Sequence, residues 1–333
     1  MSKTQTITRV SLGHVFSFED IENYINDIGN LEKRQAGWDI YSMLLDHRYD
    51  ITARIVERFR KCLSHEACYS RHDAQSNTWS LGPYGAYSCH LPFCPVCASV
   101  RTNTWVRYMS EIAPVLKENF PTYKFVFLTI SHRNGLVVNL QDELNGMNAI
   151  WKNFRKRKQF KSVAGWVKIV EIQPQDSGTG LSNPEMVNLH YHILLLVPHN
   201  FPCDIDMRNE WIKIWREIAM LDYNPNFHIE KIRNDIEKYN VANKVVVYSL
   251  KRTDLSRSNI EWSEAYILQS HGRQMITTGG ILRAYIHEVR EQEKQKPFPY
   301  WYSVKEQHIE HSIVHSTWDH ENKRFFIDCL IPA

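Results

Sequence analysis

The sequence predicts an α+β fold in which a mainly antiparallel sheet is flanked by helices. The prediction rests on the order strand, helix, strand, strand, helix in the central part of the chain. β-Rich runs cover Lys124–Ile130, Trp166–Ile172 and Leu189–Val197, and β-branched and aromatic residues are typical of strands. Apolar residues at spacings of three and four predict helices at about 144–154 and 206–221.

The regions on either side of this core have a different character. Apolar spacings of three and four predict helices between about 17 and 61, whereas residues 62–101 combine cysteines with glycine and proline turns. Beyond Arg290 the chain becomes highly charged and then aromatic and His-rich. We therefore predict a helical, Cys-rich region (1–115), a sheet domain (116–290) and a C-terminal tail (291–333).

Composition narrows the class of protein. A chain of 333 residues with 43% hydrophobic residues can bury a sizeable core. No apolar run approaches the ~20 residues that cross a bilayer, and the polar stretch Met1–Arg9 does not resemble a secretory signal. We expect a cytoplasmic protein without a membrane partner.

Positive charge is concentrated in one stretch, although the net charge is only +3. No acidic residue occurs from Leu144 to Val170, where seven basic residues lie: Lys152, Arg155, Lys156, Arg157, Lys158, Lys161 and Lys168. Neutralising a polyanion releases condensed counterions, so such a stretch suits nucleic-acid phosphates. A solvated helix end is the alternative interpretation. The residues Arg155, Lys156, Arg157 and Lys158 are the candidate DNA contacts.

Three of the seven cysteines, Cys89, Cys94 and Cys97, fall within nine positions. In a reducing compartment this clustering favours a metal over disulfides, and the C-x2-C pair matches structural zinc spacing. A tetrahedral site needs a fourth ligand. Cys68 is our choice, with the alternatives being Cys62, His65 and His90.

A second cluster of metal ligands is predicted in the strands. His190 and His192 are two apart in the third β-rich run, so both imidazoles project from one face. Glu171 lies in the preceding apolar strand, where an unpaired carboxylate would be costly to bury. If the two strands are neighbours, the three side chains form an open site for Mg²⁺ or Mn²⁺. An edge-strand Glu facing water is the alternative for Glu171.

A nucleophile is harder to identify. Tyr248 lies in the segment KVVVYSLKR, and a tyrosine hydroxyl can attack phosphorus. In a helix, Lys251 would share its face and stabilise developing charge. The three valines before Tyr248 instead favour a strand, in which Lys251 would point away.

In their order, these features resemble the replication initiator proteins of rolling-circle plasmids, in the branch with an upstream Cys-rich segment. The likeness spans roughly residues 60–285. The matching stretches are C-x4-CPVC-x3-R (Cys89–Arg101), FLTI (Phe127–Ile130), the HYH of NLHYHILLLV, YSLKRTDL (Tyr248–Leu255), and Gly272-Arg273 followed by Gly279-Gly280. HYH is similar to the His-hydrophobe-His motif of the HUH endonuclease superfamily.

The resemblance implies a five-stranded antiparallel sheet with the nucleophile on a helix. It implies Glu171, His190 and His192 as metal ligands, Tyr248 as the nucleophile and Lys251 as its helper. The expected reaction nicks single-stranded or hairpin origin DNA, leaving a 5′-phosphotyrosine link and a 3′-hydroxyl primer. Host helicase and polymerase are implied partners.

One departure concerns termination. Some relatives carry a Glu four residues before the tyrosine, where this chain has Lys244. A different carboxylate (Glu237 or Asp254) or a second tyrosine such as Tyr239 remains open. Alternative functions are an HUH-type transposase or relaxase, a zinc-dependent DNA-binding regulator without catalysis, and a metallohydrolase that needs no tyrosine.

Overall fold

The structure is a computed structural model that describes residues 18–28, 31–46, 53–73, 78–83, 87–175, 185–232, 255, 260–295, 309–319 and 321–332. The chain divides into two compact units, one formed by residues 1–97 with 296–333 and the other by residues 98–295.

The described part of the chain contains helices and strands in mixed order. In order they are α1 (Phe18–Ile28), α2 (Leu31–Asp46), α3 (Ala53–Ser64), β1 (His65–Asp73), β2 (Thr78–Pro83), α4 (Pro95–Asn119), β3 (Tyr123–Ser131), β4 (Gly135–Leu136), α5 (Leu140–Phe154), β5 (Gly165–Pro174), β6 (Met186–Pro198), α6 (Ile205–Ala219), β7 (Asn226–Lys231), α7 (Ile260–Ser270), β8 (Ile276–Gly279), α8 (Gly280–Gln295), β9 (Ile309–Asp319) and β10 (Arg324–Pro332). Short 3-10 turns cover Val137–Asn139 and Lys158–Phe160.

The first unit contains an antiparallel sheet in the order β10-β9-β1-β2. Its core joins both ends of the chain, since Ile21 and Ile25 of α1 pack with Cys68 of β1, Trp318 of β9 and Phe325 of β10. The sequence-based division treated residues 291–333 as a tail and 62–101 as turns. In the structure both regions contain strands, and β9 pairs with β1 although more than two hundred residues separate them in sequence. Local sequence patterns do not predict such a long-range pairing.

The second unit is built on a sheet in the order β7-β3-β6-β5-β8, with every pair antiparallel and the two-residue β4 added beside β6. The predicted α+β class and its antiparallel sheet are confirmed. The predicted strands correspond to β3, β5 and β6, and the predicted helices to α5 and α6. β5 and β6 are neighbours over ten residue pairs, from Gly165–Leu196 to Pro174–Val187.

The two faces of this sheet have different coverings. On one face, Val167 and Ile169 of β5 and Leu194 of β6 pack against buried residues of α4 and α8. On the other face, the Tyr191 hydroxyl of β6 donates a hydrogen bond to Asn148 Oδ1 of α5. Helix α5 follows the predicted apolar stripe, with Leu144, Met147, Trp151 and Phe154 buried.

The two glycines of the Gly279-Gly280 pair are required by close packing. Gly280 has a φ of 59°, and a Cβ there would lie 2.1 Å from the carbonyl oxygen of Ala164. A Cβ on Gly279 would lie 2.3 Å from the ring of Trp166. Any larger residue would therefore push α8 away from the start of β5. This part of the family-like pattern has a structural explanation.

Among the residues that the structure describes, no helix is both long and apolar enough to cross a bilayer.

Candidate metal centres and catalytic site

Three predicted ligands meet on one face of the second unit's sheet. In the register of β5 and β6, Glu171 lies opposite His190 and Ile169 lies opposite His192. Opposed residues share a face, and so do residues two apart on a strand. The Glu171 Oε2 atom is 2.5 Å from His192 Nε2 and 3.5 Å from His190 Nδ1. The pairing of β5 with β6 thus assembles a carboxylate and two imidazoles.

The electrostatics of this cluster favour the binding of a cation. Burial by itself would raise the pKa of Glu171, but hydrogen bonds from His190 and His192 outweigh it and lower the pKa to about 2. The carboxylate is therefore ionised at neutral pH. One carboxylate oxygen and two imidazole nitrogens are ligands that divalent cations accept, and these atoms lie within 4.8 Å of one another.

Water reaches this cluster from one side. The side chains of Glu171 and His192 are 6% and 5% exposed, whereas that of His190 is 26% exposed. Three protein ligands with an accessible side are typical of a catalytic metal site, in which substrate or water completes the coordination. The donor set and its exposure both fit a reactive metal ion.

Four thiols form a second cluster, in the first unit. The Sγ atom of Cys62 lies 3.7 Å from that of Cys94 and 3.5 Å from that of Cys97, and Cys89 Sγ is 3.5 Å from Cys97 Sγ. In a zinc tetrahedron with Zn–S bonds of about 2.3 Å, the sulfur atoms are about 3.8 Å apart. The observed separations are close to that value, and all four residues are buried. The cluster therefore fits a closed structural zinc site.

Backbone groups around the thiols support this arrangement. Helix α4 begins directly after Cys94, and the N–H of Cys97 points at the Cys94 sulfur over 3.5 Å. A helix N-terminus favours negative charge, hence a thiolate at this position. At the end of α3, Arg34 donates to the carbonyl oxygens of Cys62 and Leu63 at 2.8 and 2.9 Å. Arg34 is also paired with Glu66 at 2.5 Å, so its buried charge is compensated.

Comparison with known proteins assigns the chain to a family. A family model described as "Replication protein" matches residues 83–326, which is most of the chain. The chain belongs to the replication protein family.

Individual relatives agree with this assignment. "Protein rep" of Lentilactobacillus hilgardii is 25% identical over 263 residues, covering 73% of this chain and 80% of the relative. "Protein rep" of Staphylococcus aureus is 29% identical over 177 residues (51% and 72%), and that of Bacillus amyloliquefaciens is 26% identical over 256 residues (68% and 71%). No solved structure gives a significant match. The resemblance to rolling-circle plasmid initiators is confirmed.

For this family member, the structure corrects the choice of the fourth thiol. Cys62, not Cys68, joins Cys89, Cys94 and Cys97. Cys68 lies instead in the apolar core with Ile21 and Phe325, where burial raises the pKa of its thiol to about 12. A pattern could have indicated Cys62, since Ile55, Phe59 and Cys62 are spaced four and three apart on the buried face of α3. His65 and His90 are also outside the cluster.

The basic stretch divides into surface and interior residues. Lys156, Arg157 and Lys158 are exposed in the turn after α5. Arg155 is half-buried, with its guanidinium 4.8 Å from the ring centroid of Trp166, and burial lowers its pKa. Lys168, counted in the same stretch, is only 2% exposed.

The position of this stretch on the sheet is also defined. Trp151, next to the turn, packs edge-on against Trp166 of β5. Trp166 is five residues from Glu171, and odd and even residues of a strand point to opposite faces. The basic turn and the metal ligands therefore lie on opposite faces and towards opposite ends of β5.

The predicted nucleophile and its surroundings lie outside the described residues. This applies to Tyr248, Lys251 and Lys244, and to the alternative termination residues Glu237, Tyr239 and Asp254. Sequence reasoning overlooked Thr129, whose hydroxyl contacts His192. Its signal was present in the chain, because Thr129 occupies the third position of the FLTI motif.

Proposed function

We propose that the chain starts plasmid replication by nicking one strand of its origin, with Tyr248 as the nucleophile and Glu171, His190 and His192 as metal ligands. The observation that carries the proposal is the carboxylate and imidazole cluster on the sheet, in a member of the replication protein family. Mg²⁺ or Mn²⁺ is the proposed ion, and Zn²⁺ the proposed ion of the cysteine cluster.

The proposed reaction is a transesterification. The Tyr248 oxygen forms a bond to phosphorus as the bond from phosphorus to the 3′ oxygen breaks, and the phenolic proton ends on that 3′ oxygen. The number of phosphoester bonds is unchanged, so rejoining needs no ATP. A bound divalent cation supplies Lewis-acid polarisation of the phosphodiester, and Lys251 stabilises developing negative charge.

The protein's own strands bring the ligand atoms together. Glu171 accepts a hydrogen bond from His192 Nε2. Because the three ligand atoms lie within 4.8 Å of one another on paired strands, they would hold a divalent cation without rearrangement of the sheet. His190, the most exposed ligand, lies on the side from which DNA would approach.

The basic turn has a different place in the proposal. Because Lys156, Arg157 and Lys158 are on the other face of the sheet, we propose that they bind origin DNA flanking the nick, as phosphate contacts without base specificity. Action in the cytoplasm and recruitment of host helicase and polymerase belong to the same proposal. For termination, Glu237, Asp254 and Tyr239 stay open alternatives.

The test uses labelled single-stranded oligonucleotides that tile the replicon encoding the chain, incubated with Mn²⁺ and resolved on a denaturing gel. The wild-type protein should form a covalent adduct with one of them, and Tyr248→Phe should form none. Tyr285→Phe is the matched control, because it removes one hydroxyl from a helix of the same unit.

The alternative functions predict different products on the same denaturing gel. Cleavage that survives Tyr248→Phe identifies a metallohydrolase, and an absence of any cleavage identifies a DNA-binding regulator. An adduct formed only with transposon ends or a transfer origin identifies a transposase or relaxase.

A further inference from the structure

We propose that Thr129 is a positioning residue for His192, and that its hydroxyl serves the ring both before and after a cation binds. The inference deepens the proposed function, since it assigns a role at the same metal site. It begins from a contact on the sheet: the Thr129 Oγ1 atom lies 3.2 Å from His192 Nδ1.

The sheet register brings the two residues together. Thr129 of β3 is directly opposite His192 of β6, and directly opposed side chains share a face. The His192 side chain is 5% exposed, so an unpaired nitrogen on its ring would be costly. Thr129 therefore satisfies the ring nitrogen that faces away from Glu171.

The direction of each hydrogen bond follows from which ring nitrogen faces which partner. His192 Nε2 lies 2.5 Å from the carboxylate oxygen of Glu171, which accepts, so Nε2 is the donor. In that tautomer Nδ1 carries no proton and accepts from the Thr129 hydroxyl. If Nε2 held a cation, the ring proton would sit on Nδ1, and the same hydroxyl would accept from it.

A hydroxyl is the group that allows this exchange. It has one donor and two acceptor sites and rotates freely, whereas a carboxylate could only accept and an ammonium only donate. Thr129 thus holds the ring in one orientation through both protonation patterns. Outer-shell partners of metal-bound histidines commonly have this orienting role.

A second contact holds the plane of the ring. Phe127, two residues before Thr129 and on the same face, is stacked on His192 with ring centroids 5.8 Å apart and planes 13° apart. The intervening Leu128 and the following Ile130 are fully buried on the opposite face. In the FLTI motif, Phe127 and Thr129 therefore contact His192, whereas Leu128 and Ile130 pack on the opposite face of the sheet.

The test compares Thr129→Val, which keeps the branched shape but removes the hydroxyl, with Thr129→Ser, which keeps the hydroxyl. Thr278→Val is the matched control, because Thr278 lies opposite Val167 on the same face but away from the cluster. Free Mn²⁺ is titrated by its paramagnetic resonance signal, and the ring nitrogens of His192 are followed by ¹⁵N NMR in the metal-free protein.

We expect Thr129→Val to weaken Mn²⁺ binding by about 10- to 100-fold and to shift the Nδ1 resonance, while Thr129→Ser and Thr278→Val stay near wild type. An unchanged Nδ1 resonance in Thr129→Val, or loss of affinity in Thr129→Ser equal to that in Thr129→Val, overturns the inference. Neither readout involves DNA. Failure of the Tyr248→Phe experiment would therefore reject the nicking function while leaving the role of Thr129 to be decided by the NMR result.

Discussion

The two candidate metal centres differ in how many ligands the chain supplies and in how the surrounding structure is held. The cysteine cluster has four thiols, each at most 2% exposed, drawn from α3, the segment before α4 and the first turn of α4. The Glu171, His190 and His192 cluster has three ligands on two paired strands, with one of them 26% exposed. Closed four-ligand sites are structural, and open three-ligand sites are catalytic.

The difference shows where stability comes from in each unit. The sheet that holds Glu171 is covered on one face by the core of α4 and α8, so apolar packing and backbone pairing stabilise its strands. The segment Cys89–Cys97, by contrast, contains turns and no described strand. We infer that a metal ion stabilises the fold around the thiols, whereas the fold creates the site around Glu171.

The largest effect should come from removing Cys62. Cys62→Ala should abolish zinc binding and lower the free energy of unfolding of the first unit by more than about 3 kcal/mol, because a structural zinc contributes folding energy directly. Zinc content by elemental analysis and thermal unfolding measure this. Cys68→Ala is the control and should keep its zinc, with a cost of about 1–2 kcal/mol for a small cavity. The reverse result would restore Cys68 as the ligand.

Removing the cation of the open site should abolish activity without unfolding the second unit. Dialysis against EDTA should abolish adduct formation, and added Mn²⁺ should restore it. The unfolding midpoint of the second unit should move by less than about 4 °C. The two readouts are gel-based cleavage and calorimetry on the same sample. Unfolding of the second unit on chelation would show that both centres are structural.

Acid should lower the free energy of unfolding of the second unit through His132, which directly follows β3. Burial lowers the pKa of His132 to about 4 from 6.5, and its Nε2 accepts from Trp215 at 2.7 Å. Below pH 6.5 His132 binds a proton in the unfolded chain, whereas in the folded protein it binds one only below about pH 4. The free energy of unfolding should therefore fall over this window, by at most about 3 kcal/mol.

His132→Gln tests this origin of the acid sensitivity, because glutamine keeps an acceptor for Trp215 but does not titrate. Denaturant unfolding between pH 4 and pH 7 should show a flatter pH dependence in the variant. An identical slope in both proteins would assign the acid sensitivity to other groups.

The smallest effect should come from Lys168, behind the site on the opposite face. Its ammonium is 2.5 Å from Asn148 Oδ1 and 4.0 Å from the centre of the Tyr191 ring, and burial followed by the charge of Arg155 lowers its pKa to about 7. Below pH 7 the folded protein holds a buried charge, a cost that is relieved as the pH rises towards 10.5.

Lys168→Met should therefore raise the free energy of unfolding at pH 6 by about 1–2 kcal/mol, with Mn²⁺ affinity unchanged. Lys161→Met, at an exposed position, is the control and should change stability by less than about 0.5 kcal/mol. A loss of Mn²⁺ affinity in Lys168→Met would show that the open site depends on both faces of the sheet.

Local patterns were sufficient for several parts of the structure. The alternation in Leu189–Val197 placed His190 and His192 on one face, as β6 shows, and the apolar spacing of Leu144, Met147, Trp151 and Phe154 predicted the buried stripe of α5. The strands β1, β2, β9 and β10 were not predicted. Their pairing depends on partners distant in sequence, and their segments lack a long apolar run.

The sequence by itself determined the ligand types, the side of the strand on which each histidine projects, and the family to which the chain belongs. Tertiary structure decided which strand neighbours β6, that Cys62 rather than Cys68 completes the thiol cluster, and that the basic turn lies on the face away from the metal ligands. The physical reason is one of range. Side-chain direction along a helix or strand repeats over a few residues, whereas strand register and core packing join residues that the chain separates widely.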